Sequence, residues 1–96
     1  MSPLNKKKLA IIRNKLDKLD NSLIKIIKQR TILVKKVLKL KDKKKQIVDK
    51  QRIIKILSNI KKKSILNNID PKITKRIWYN MIRAYIDFEK KNFKKK

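Results

Sequence analysis

A chain of 96 residues with no cysteine and no histidine has no thiolate, imidazole base or disulfide to work with, and a zinc site is left without its usual ligands. Its 31 lysines and arginines stand against 7 aspartates and glutamates, a formal charge of +24, which points to anionic partners ranging from a small dianion to nucleic acid. Any catalysis must then run on cations, carboxylates, hydroxyls and positioning.

The cations are spread through the whole chain, and isoleucine, leucine and asparagine are frequent. AT-rich coding sequence gives the same composition, so drift accounts for much of the charge as well as a polyanionic partner does. The length predicts a single domain, 1–96, with a modest core. No apolar run follows the lysines of Met1 to Lys8, and nowhere do 18 apolar residues stand together, so the reading is of a soluble, cytoplasmic protein without a membrane partner.

Residues 1–8 read as a polar lead-in, with Ser2-Pro3 able to start a helix. From Leu9 to Lys41 runs one amphipathic helix. Leu9, Ile12, Leu16, Leu19, Leu23, Ile26, Arg30, Leu33, Val37 and Leu40 keep a three-four alternation that draws a single seam along it. Arg30 interrupts that seam. A cation at a core position is costly unless an anion meets it, so the break marks either a buried ion pair or an anionic ligand. Lys41 lies about 20° from the same line and roughly 16 Å further along, whereas Arg13 lies about 100° round the helix and faces a different neighbour. Asp17 and Asp20 flank the seam and read as surface partners of nearby lysines. A helix of about 35 residues is about 50 Å long, beyond the diameter of a compact domain of this size. Its seam therefore predicts an intertwined two-fold helical dimer.

Lys41 to Gln46 is polar and reads as a loop. Asp49 is a candidate N-cap for a second, shorter helix whose stripe is Ile53, Ile56, Leu57 and Ile60. Arg52 falls in its first turn, where it opposes the helix dipole and an anion nearby would offset this. The helix is expected to end in Lys61-Lys62-Lys63, with Ser64 to Ile69 connecting. Asp70-Pro71 opens a third helix to about Phe93, with Ile73, Ile77, Met81, Tyr85 and Phe88 on one face. Glu89 falls at the edge of that stripe, where the ordinary reading is a packed stem with its head in water. Trp78 and Tyr79 read as core or rim packing. The lysine-rich tail from Lys90, residues 94–96 above all, is expected to fray. With no glycine and no hairpin signal, the fold class is all-α, three helices long, short and medium.

Arg13, Arg30, Lys41, Asp49, Arg52 and Glu89, together with the Leu16-Asp17-Lys18-Leu19-Asp20 turn, the Val48 to Arg52 start of helix two and Asp70-Pro71, resemble in order and spacing the all-helical class of chorismate mutase. The likeness runs from Leu9 to about Phe93. It implies an intertwined homodimer with two equivalent sites and a concerted pericyclic rearrangement of chorismate to prephenate, which needs no nucleophile, metal or cofactor. By that resemblance Arg30 and Arg13 bind the two substrate carboxylates, Arg13 reaching in from the other protomer. Lys41 contacts a carboxylate and the ether oxygen, Asp49 holds the ring hydroxyl, and Arg52 lines the anion site beside Ile53, Tyr85 and Ile86. Glu89 takes the place of the second ether-oxygen donor. Many members have glutamine there and the fungal enzymes glutamate; only a protonated Glu89 can donate.

Ile53 stands where bacterial mutases often place a glutamate, and Tyr85 where a serine is common. An apolar residue after the arginine and a tyrosine in helix three are also seen in isochorismate pyruvate lyase, a relative on the same fold that splits isochorismate into salicylate and pyruvate; against it, the lyase has glutamine where this chain has Glu89. A third reading, a basic helical protein coating nucleic acid, explains the charge but leaves Arg30 in the seam without a reason.

Overall fold

A computed structural model describes residues 1–95, and among them every regular element is helical: α1, Pro3–Leu40; a 3-10 turn, Lys44–Gln46; α2, Lys50–Leu66; and α3, Pro71–Asn92. The chain divides into two compact units, Met1–Val34 and the stretch from Lys35 onward. No helix of the described residues is long and apolar enough to cross a membrane.

In the first unit, α1 starts six residues before the apolar seam does, so residues 3–8 are helix and not lead-in. Ser2 is the reason. Its Oγ accepts from the Asn5 amide at 3.1 Å and its carbonyl from the Lys6 amide at 2.9 Å, while Pro3 takes the first helical position, where a missing N–H costs nothing. Lysine is a good helix former, so Lys6, Lys7 and Lys8 extend the helix without showing any apolar periodicity. Within the unit the seam residues Ile12, Leu16, Leu19, Leu23, Ile26 and Leu33 are each more than half exposed. Over its 38 residues α1 buries none.

The second unit is a packed helical hairpin, α2 against α3. Asp49 caps α2 as expected, its Oδ1 accepting from the Arg52 amide at 3.0 Å, and Asp70 caps α3 by accepting from the Lys72 amide at 2.9 Å. Helix α2 does not stop at its lysine cluster but continues to Leu66. It ends where Asn68 turns left-handed, at φ 56°, with the Ile69 amide bonded to the Ser64 carbonyl at 2.9 Å and the Asn68 amide to the Ile65 carbonyl at 3.2 Å. This is a Schellman ending, with asparagine taking the position glycine usually fills.

The longer α2 carries Ser64 inside the hairpin. Its hydroxyl lies 2.6 Å from the Ile60 carbonyl and 2.6 Å from the Thr74 Oγ1, and both side chains are buried. A hydroxyl has one proton. Ser64 gives its own to Ile60, so Thr74 donates to Ser64, leaving the 3.3 Å approach of Thr74 to the Pro71 carbonyl as the weaker contact.

Thr74 also shows which face of α3 is used. Thr74, Trp78, Ile82, Tyr85 and Glu89 are buried or half-buried, whereas Ile73 and Ile77 are more than half exposed. The expected stripe is thus split in two. Met81, Tyr85 and Phe88 are shielded as expected, but at the start of the helix the packed line is shifted by one residue. Tyr79 stays on the surface. Helix α3 persists through Asn92, so Lys90 to Asn92 are helix; Lys94 and Lys95 follow without regular structure, and the part of the tail at residue 96 lies outside the described residues.

Candidate active site

The site residues assigned by sequence fall into both units. In the second, Lys41 follows the last residue of α1, its amide bonded to the Leu38 carbonyl at 3.1 Å. Glu89 lies four residues after Tyr85 on the packed line of α3, and only 7% of it is exposed. The Lys41 Nζ donates to the Glu89 Oε2 at 3.3 Å. The ordinary reading of Glu89, stem packed and head in water, is therefore overturned: the line through Thr74 and Trp78 turns its carboxyl inward. At 3.3 Å the contact is longer than the 2.7–2.9 Å usual for a charge-assisted bond.

Asp49 and Arg52 meet through the cap on α2, and Lys41, Gln46, Val48, Asp49, Lys50 and Gln51 line one shallow cleft. The Arg52 side chain is exposed, while Ile53, Tyr85 and Ile86 are half-buried. Away from these residues, Arg83 Nη1 donates to the Tyr79 hydroxyl at 3.3 Å and lies 5.8 Å from its ring centroid. That hydrogen bond holds the guanidinium above its ordinary value, so it remains charged.

In the first unit, Arg13 is exposed on α1 in a depression it shares with Leu9, Asn14 and Asp17. Arg30 is half-buried, and its Nε is shut off from solvent with no hydrogen-bond partner. A shielded guanidinium donor without an acceptor is costly, which fits a group awaiting an anion. Seventeen residues of one helix separate Arg13 from Arg30, about 26 Å along the axis. The two cannot grip one small molecule from the same chain.

Two features escaped the sequence reading. The Ser64 and Thr74 pair has no pattern of its own, since small hydroxyl residues ten apart look like surface. Gln46 had a faint one, a glutamine three residues after the residue that opens a turn. Among the described residues no group of three or more metal-ligating side chains comes together.

The family description chorismate mutase type II matches residues 12–90. That span is most of the chain and contains Arg13, Arg30, Lys41, Asp49, Arg52, Ile53, Tyr85, Ile86 and Glu89. The chain belongs to the chorismate mutase type II family. It is an isomerase that converts chorismate to prephenate, and no observation favours the lyase or the nucleic-acid coat. Comparisons with curated proteins and with solved structures return no match.

Proposed function

We propose that this chorismate mutase works in the cytoplasm as an intertwined homodimer of single-domain chains, with two sites that each draw residues from both protomers. Arg30 and the partner's Arg13 clamp the two carboxylates of chorismate, a planar bidentate task for which guanidinium is suited. Lys41 bridges a carboxylate and the ether oxygen. Asp49 keeps one oxygen on the α2 cap and offers the other to the ring hydroxyl, and Arg52 adds positive potential beside Ile53, Tyr85 and Ile86.

The rearrangement breaks one C–O bond and forms one C–C bond in a single step. The protein has to hold the flexible dianion in its compact conformer and stabilise the negative charge that gathers on the ether oxygen. Glu89 supplies the second donor there. In its protonated form the Oε2 accepts from Lys41 while the O–H of the other oxygen donates a hydrogen bond to the ether oxygen, with no proton transferred.

The observation that carries this reading is the inward-facing Glu89 carboxyl with the Lys41 ammonium 3.3 Å away. It is supported by the orphaned Nε of Arg30. Purified protein incubated with chorismate should release prephenate, and Arg30→Ala should lower the rate by about 10²-fold or more. Salicylate and pyruvate from isochorismate with negligible prephenate, or no product from either, would sink the proposal.

A further inference from the structure

We infer that Gln46 is a positioning residue for the catalytic face: its side chain fixes the loop that sets Lys41 and Asp49 against one cleft. This rests on the roles proposed above for Lys41 and Asp49. The Gln46 Oε1 accepts from the Asp42 amide at 2.8 Å and from the Lys43 amide at 2.8 Å. These two N–H groups are the first after Lys41, so the clasp fastens the chain directly behind the catalytic ammonium. On the other side of Gln46 stands Ile47, 3% exposed and the one buried hydrophobic residue among those described. The loop is thus held at two consecutive residues, one by an apolar anchor and one by a polar clasp, and Asp49 follows two residues later.

The loop has reason to open without it. Lys43, Lys44 and Lys45 are consecutive cations that repel one another. Its own backbone bonds, Gln46 N to Lys43 O at 3.0 Å and Ile47 N to Lys44 O at 3.1 Å, make only a short 3-10 turn, whose geometry is weaker than that of an α-helix. Gln46 also lines the cleft together with Lys41 and Asp49. Both of its bonds are accepted at oxygen and none at the amide nitrogen is needed, so a carboxylate in the same place satisfies the same two amides. Asparagine, one carbon shorter, cannot span both.

The test compares kcat and KM for chorismate in Gln46→Ala, Gln46→Asn and Gln46→Glu, with helix content by circular dichroism. Gln46→Ala and Gln46→Asn should lower kcat by roughly tenfold, the scale of one ordering hydrogen bond, at unchanged helix content, and Gln46→Glu should restore kcat to within about twofold of wild type. If Gln46→Ala loses helix content, Gln46→Asn decides. Overturning results are a Gln46→Asn enzyme equal to wild type, or a loss in kcat that glutamate does not restore. Lys41→Ala is assayed in parallel. A Lys41→Ala enzyme that keeps its rate counts against the proposed site, whereas a dead Lys41→Ala beside a fully active Gln46→Asn counts against Gln46 alone.

Discussion

The two units of this small enzyme differ in what they can do by themselves. The second is fastened by contacts within itself, although Ile73 and Ile77 stay exposed: a helix-capping aspartate at each start, a left-handed asparagine between the helices, a buried hydroxyl pair and one isoleucine anchoring the loop. The first has none of this. It is a run of helix whose apolar seam lies open along its length, and a contiguous apolar surface of that kind marks interaction sites on soluble proteins. The lesson is that stability and chemistry are drawn from different sources. Lys41 and Glu89 are placed by packing within one chain, while Arg13 and Arg30 sit on a helix whose seam the proposed dimer would cover.

The largest effect should come from charging the open seam. Leu23→Asp places an unpaired charge where the proposed dimer is dry, a cost of several kcal/mol. The variant should sediment as a monomer or unfold. Lys25→Asp, two residues away and off the seam, should alter stability by no more than about 0.5 kcal/mol. Equal behaviour of the two would leave the contrast between the units without meaning.

Next is Glu89, where the second unit's packing meets the chemistry. Glu89→Ala should lower the rate of prephenate formation by about 10²-fold, and Glu89→Gln, whose amide can donate, should keep most of it. A Glu89→Ala enzyme as fast as wild type would contradict this role. The smallest effect lies within the hairpin. Ser64→Ala should destabilise by about 1–2 kcal/mol, because Thr74 then keeps only its long contact to Pro71. Adding Thr74→Val should cost less than the two single changes together, since it removes the orphaned partner; denaturant midpoints measure both.

Much of this was legible in the sequence because capping and seam spacing are local physics. Asp49, Asp70-Pro71 and the three-four alternation of α1 each need only a few neighbouring residues to be read. Errors arose where tertiary structure chose between local options. Lys61-Lys62-Lys63 looks like a helix end, but the Ser64 hydroxyl has a partner on α3 that draws the helix onward. Ile73 and Ile77 look like the core face, but Thr74 and Trp78 take it, and with them Glu89 turns inward. The start of α1 was hidden because lysines favour helix without marking a face. For the site, order and spacing pointed to the family whose match spans 12–90, yet no periodicity reveals that a glutamine in a lysine loop clasps the backbone behind Lys41.

The central claim is that each site is completed by the partner chain's Arg13. The direct measurement refolds Arg13→Ala and Arg30→Ala chains together in equal amounts and assays prephenate formation against each variant alone. In a shared-site dimer, half of the assemblies are mixed and each of these regains one intact site, so activity should recover from about 1% to about a quarter of wild type. Activity no greater than the average of the two variants alone would contradict it and confine the site to a single chain.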